Sequence, residues 1–119
     1  MPQTLKIMKL FAGLKKIREF ERTQLPFLKS LVDFDIVIEI GYAEEQDQPL
    51  TLKQLFLLNI SSRSTVRRRL AQLIEMGIVM RRQSDNDHRA MVLTIASSSV
   101  KLLTRYCDAL ASICAMGFK

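Results

Sequence analysis

Ser61-Ser62-Arg63-Ser64-Thr65-Val66-Arg67-Arg68-Arg69-Leu70-Ala71-Gln72-Leu73-Ile74-Glu75-Met76-Gly77 is the run on which the fold turns. With Val66 at zero and about 100° added per residue, Leu70 falls near 40° and Leu73 near −20°. These three make one narrow apolar stripe, with Ile74 on its flank. Ser64, Arg68 and Glu75 fall opposite, and Thr65, Arg67, Ala71 and Gln72 occupy the shoulders. The spacing predicts an amphipathic helix from about Arg63 to Met76, capped by Ser61 or Ser62 and stopped by a left-handed Gly77.

Upstream, Thr51 offers an N-cap for a short helix through Leu52, Leu55, Phe56 and Leu58, and Asn59-Ile60-Ser61-Ser62 reads as a tight turn. Helix, turn and amphipathic helix together make a helix-turn-helix. Downstream the period changes. Ile78 to Arg82 reads as a strand and Ala90 to Ile95 as its partner, around the polar loop Gln83-Ser84-Asp85-Asn86-Asp87-His88-Arg89. Further out, residues 4 to 22 carry Ile7, Leu10, Leu14 and Ile17 at helical spacing, with Thr4 as the expected cap. A break at Thr23 to Leu25 places Pro26 early in a second helix of about 16 residues, with a stripe at Phe27, Leu31, Phe34 and Ile38. Ile36-Val37-Ile38 and Ile40 are β-branched, but the surrounding 3–4 spacing favours helix over strand. A last helix, capped within Ser97-Ser98-Ser99, carries Val100, Leu103, Tyr106, Leu110 and Ile113. The fold class expected is mainly α with a small β-hairpin wing.

Charge along the chain is segregated. The 119 residues carry 18 Lys and Arg against 12 Asp and Glu, a formal +6. Lys6, Lys9, Lys15, Lys16, Arg18 and Arg22 make residues 1 to 22 basic, and Arg63, Arg67, Arg68, Arg69, Arg81, Arg82 and Arg89 do the same for residues 60 to 90. In residues 33 to 47, Asp33, Asp35, Glu39, Glu44, Glu45 and Asp47 stand without a base, and the cluster Asp33, Asp35 and Glu39 at helical spacing reads as a solvated face turned away from an anionic partner. Arginines gathered in one segment point to an anionic partner. Duplex DNA fits, because its major groove of about 12 Å admits one helix. Arg can pair there with guanine and Gln with adenine. Helix N-termini at Thr51 and at Ser61-Ser62 add backbone donors for phosphate.

Other chemistries find little purchase. The apolar content of 48% supplies one core, so a single domain over 1–119 is expected. No stretch approaches the roughly 18 apolar residues of a membrane helix, and the opening residues lack a secretory signal's apolar run. A cytoplasmic protein with no membrane partner is expected. Cys107 and Cys114 lie on one helix about 10 Å apart, beyond the roughly 7 Å a disulfide spans, and read as reduced, buried thiols. Asp85, Asp87 and His88 lack the further ligands a metal site recruits. The methionines read as core filling. No acid–base pair, glycine-rich phosphate loop or other cofactor motif is visible, so neither an enzyme nor a bound cofactor is expected.

The run Ser61 to Val79, followed by Asp85-Asn86-Asp87-His88-Arg89 and Val92-Leu93-Thr94-Ile95, resembles the winged helix-turn-helix of the MarR family of transcriptional regulators. The likeness covers residues 50–96. It is most specific at Ser64-Thr65-Val66, Gly77, Asp87-x-Arg89 and the Leu93-Thr94 that closes the second strand. The chain departs from the family pattern at Ile95-Ala96-Ser97, where Glu-x-Gly is frequent. The resemblance implies a homodimer with two such helices in successive major grooves and the wing along the minor groove. Flanking helices 1–22 and 97–119 would then build the dimer interface. On this reading Arg63, Ser64, Thr65, Arg67, Arg68 and Gln72 read or flank the major groove of double-stranded DNA. Arg82 and Arg89 hold the wing, and Asp87 orients Arg89. The resemblance leaves a small-molecule effector unknown. The alternative is a winged-helix protein–protein interaction or assembly module whose arginine face meets an acidic partner.

Overall fold

A computed structural model describes residues 9–85 and 87–115. Five helices and one hairpin follow in the expected order: α1 (Leu10–Gln24), α2 (Leu31–Glu45), α3 (Leu52–Leu57), α4 (Arg63–Glu75), β1 (Val79–Gln83), β2 (Met91–Ile95) and α5 (Ser97–Cys114). They group into two compact units, one of the residues up to Pro26 with those from Val100 onward, the other Phe27–Ser99.

In the Phe27–Ser99 unit, α2 packs on α3, α4 and β2, while α4 also meets β1. Ile36, Val37 and Ile40 of α2, Leu55 of α3, Val66, Leu70 and Leu73 of α4, and Val79, Val92 and Leu93 of the hairpin form the core. Each such side chain contributes about 1.5–3 kcal/mol by leaving water. β1 and β2 are antiparallel, with Val79 opposite Ile95 and Gln83 opposite Met91. Strand β2 is tied outward as well. The Leu93 N–H donates to the Leu50 carbonyl (2.8 Å), and the Ile95 N–H to Glu44 Oε1 (3.0 Å).

The start and the buried face of α2 differ from the sequence expectation. Pro26 lies outside the helix, which begins at Leu31 because Ser30 and Asp33 form a reciprocal capping box. Ser30 Oγ accepts the Asp33 N–H, and Asp33 Oδ2 accepts the N–H groups of Lys29 (2.8 Å) and Ser30 (3.1 Å). Leu31 and Ile38, expected in the buried stripe, are 74% and 59% exposed. The helix is so evenly apolar that its periodicity selects no face, and the neighbours decide instead. Asp33, expected on a solvated surface, is fully buried and accepts Arg69 Nε at 2.6 Å and Nη2 at 2.8 Å. Burial alone would raise its carboxyl. The Arg69 guanidinium and the two backbone donors outweigh that and hold it below the usual carboxylate range. Bonding to Asp33 in turn raises Arg69.

In the other unit, Tyr106 Oη of α5 donates to Glu21 Oε2 of α1 at 2.6 Å, and its ring lies 5.9 Å from that of Phe20. Burial foremost, then the bond to the Glu21 carboxylate, pushes the Tyr106 phenol up to about 12. Thr4 lies outside the described residues. Helix α5 starts at Ser97 itself, so the three serines belong to its first turn. Val100, placed in its apolar stripe by the sequence, is 49% exposed, whereas Ile113 is buried. Cys107 and Cys114 are free and exposed on the surface of the single chain, so the core of one chain does not bury them. Among the described residues no helix is long and apolar enough to cross a membrane, and no cluster of three or more His, Cys, Asp or Glu could hold a metal ion.

Gly77 adopts φ +76°, and a Cβ there would meet nothing within 4 Å. Gly77→Ala should therefore cost only backbone strain, about 1–2 kcal/mol in urea unfolding. Asp33→Ala should cost about 3 kcal/mol near neutral pH, because it strands the Arg69 charge and unmakes the cap. The lowered Asp33 value means this stabilisation is complete above the carboxyl's unfolded value and fades as pH falls through the folded one. The gap between wild type and Asp33→Ala in urea midpoints should accordingly narrow below about pH 4.

Candidate nucleic-acid interface

Two capped helices and a three-dimensional clamp set the geometry around α4. Thr51 and Gln54 form a capping box, with Thr51 N–H donating to Gln54 Oε1 (2.9 Å) and Gln54 N–H to Thr51 Oγ1 (3.2 Å). The chain leaves α3 through Asn59 at φ 56°, a left-handed conformation that asparagine tolerates. Ser62 then caps α4, its Oγ accepting the Thr65 N–H at 3.2 Å and donating to Thr65 Oγ1 at 2.8 Å. Val66, Leu70 and Leu73 face the core, and Asp33 grips Arg69 from α2. This fixes the rotation of α4 about its own axis.

The opposite face is open to solvent. Arg63, Ser64, Arg67, Arg68 and Gln72 are exposed, and Thr65 is half-buried within the cap. Among the described residues Arg68 makes no hydrogen bond or ion pair. The Gln72 side-chain oxygen accepts from Arg69 Nη1, which leaves its amide N–H groups available. Arg63 and Arg67 lie over the ring of Phe56 from α3, at 5.0 and 5.4 Å from its centroid. By sequence, Phe56 was only one of the apolar positions of the short helix that became α3. Arg69 was counted with the basic segment, yet at about −60° on the same wheel it sits beside Leu73. That position was the signal of a structural arginine.

The wing is exposed and lightly tethered. Arg82 Nη1 lies 3.3 Å from Asp85 Oδ1, and Arg89 Nε lies 3.8 Å from Asp87 Oδ1. The Asp87 carboxylate also accepts the Arg89 backbone N–H at 3.0 Å, and Gln83 Nε2 donates to the His88 carbonyl. The Arg89 side chain is 96% exposed. Arg81 is exposed too.

No protein-family model matches the sequence, and no curated protein does. Solved structures do. The MepR–DNA complex of S. aureus superposes with a TM-score of 0.66 at 19% identity, over 87% of this chain and 77% of that one. A transcriptional regulator of Thermotoga maritima gives 0.62 at 22% identity, covering 88% and 72%. A MarR structure gives 0.57 at 17%, covering 87% and 74%. The fold is the MarR-type winged helix. Within it α3 and α4 are the helix-turn-helix and β1–β2 the wing, as the sequence expectation had them.

Because the wing's ion pairs are exposed, they add little to folding. Arg82→Ala and Arg89→Ala should each leave the stability of the chain within about 0.5 kcal/mol in thermal melts, so any change in ligand binding by these variants reports the surface itself.

Proposed function

We propose that the chain is a sequence-specific transcriptional regulator that binds double-stranded DNA as a homodimer, with α4 in the major groove and the wing on the minor groove. The observation that carries this reading is the outer face of α4. Arg63, Ser64, Arg67 and Arg68 stand in solvent there on a helix whose rotation is fixed by the core and by Asp33. A guanidinium free of intramolecular carboxylates keeps its donor fork for guanine or phosphate. Arg89, almost wholly exposed at the wing, suits the enhanced negative potential of a narrow minor groove. The same fold occurs in MepR complexed with DNA and in E. coli MarR complexed with operator DNA.

Dimerisation is supported by apolar surface on α1. Leu10, Phe11 and Leu14 are 44%, 79% and 46% exposed, the pattern of a helix that covers this face with a second copy. A symmetric pair would set the two α4 helices about 34 Å apart, one turn of DNA. Acting by binding, such a protein needs no catalytic group and no cofactor. Cytoplasmic residence follows from this role.

A mobility-shift titration against random duplex DNA at two salt concentrations tests the reading. Micromolar binding that weakens steeply with salt is expected. Selection from a random pool should then yield a palindrome. Arg68→Ala should reduce discrimination by about 1–3 kcal/mol per half-site. Arg89→Ala should lower affinity for all duplexes and reduce the salt slope by about one. A folded dimer that fails to shift DNA near physiological salt would instead make the arginine face a protein-binding surface.

A further inference from the structure

Phe56 is half-buried on α3, and two guanidinium groups of the next helix rest against its ring, Arg63 at 5.0 Å and Arg67 at 5.4 Å. Both distances lie inside the roughly 6 Å over which an aromatic quadrupole attracts a cation. Helix stability does not explain this arrangement. The first turn of α4 contains no acidic residue, and Arg63, its first residue, meets the unfavourable positive end of the helix dipole. Neither arginine has a carboxylate partner among the described ion pairs. The negative face of the ring is what favours them at this position.

A guanidinium held over a ring by the ring's quadrupole spends none of its N–H donors on a protein carboxylate, so they remain for another acceptor. The contact also removes rotamer freedom that an exposed arginine would otherwise surrender on binding. We propose that Phe56 is a positioning residue for duplex recognition, holding Arg63 and Arg67 as a preformed pair of donor forks at the start of α4. The inference rests on the DNA-binding reading above, and it extends the recognition surface to a side chain of α3 that acts through the two arginines.

The test uses the full chain, a duplex it selects from a random pool, and a scrambled duplex of the same composition. The quantity read is the ratio of the two affinities. Phe56→Leu, which keeps apolar bulk but removes the ring, should lower that ratio on the order of fivefold. Phe56→Tyr should restore it to within about twofold, since the aromatic face is retained. In an Arg63→Ala/Arg67→Ala background, Phe56→Leu should change the ratio less than about twofold, because the groups it acts through are gone. Phe56→Met replaces the leucine variant if thermal melts show that variant unfolded. The free wild-type protein should also display Arg63 and Arg67 side-chain protons shifted upfield by the ring, a shift lost in Phe56→Leu. An unchanged ratio in Phe56→Leu overturns the proposal, as does an equal loss with and without the arginines, which would make Phe56 a packing residue only. If wild type binds no duplex, the regulator reading falls and this inference with it, whereas ring-shifted arginines in a DNA-binding protein whose ratio ignores Phe56 sink the inference alone.

Discussion

A carboxylate with four donors around it organises the Phe27–Ser99 unit. Asp33 accepts the backbone N–H groups of Lys29 and Ser30 and two guanidinium N–H groups of Arg69, so its acceptor capacity is filled inside the core. One side chain thereby begins α2 and grips α4, 36 residues further along. Apolar contacts between the two helices would tolerate some rotation of α4. A planar fork meeting a carboxylate side-on does not. Lysine could carry the charge at position 69, but it lacks the fork that defines the angle. What Asp33 contributes beyond net stability is therefore orientation, and every exposed arginine of α4 inherits it.

The positive surface is consequently divided by role. Arg69 belongs to the fold, although it stands in the same basic run as its neighbours. Arg63 and Arg67 are supported on an aromatic ring, Arg68 stands free among the described residues, and Arg82 and Arg89 keep loose carboxylate company in the wing. Residues that look equivalent in composition thus differ in how much freedom they retain. A count of basic residues would have overstated the surface available to an anionic partner.

Legibility in the sequence tracks how local the determining physics is. Helix α4, its Ser62 cap and the Gly77 stop were readable because each depends on neighbours within a turn or two. The hairpin was readable from its change of period around a polar loop, with strand limits off by one residue. The buried face of α2 was not. Val32, Phe34, Ile36, Val37, Ile38 and Ile40 surround the helix with apolar groups, and only the packing of α3, α4 and β2 selects among them. Asp33 was misread for the same reason, since its partner is remote in sequence. Of the site, the arginines and the wing were legible. The ring beneath Arg63 and Arg67 was not, because an aromatic at a core-like spacing announces burial and hides what touches its outer face.

The bond from Tyr106 to Glu21 joins residues 85 positions apart, and it belongs to a unit assembled from the two outer segments of the chain. The segment between them is contiguous and owns its core. During synthesis that middle portion can complete its contacts while α1 still waits for α5 to emerge. Closing so wide a loop is entropically slow, and preorganising the intervening segment shortens the search. In this topology the contacts of the middle segment involve only residues 27 to 99, whereas the pairing of α1 with α5 requires the chain beyond Val100, so the Phe11 edge of α1 belongs to the unit whose partners are synthesised last.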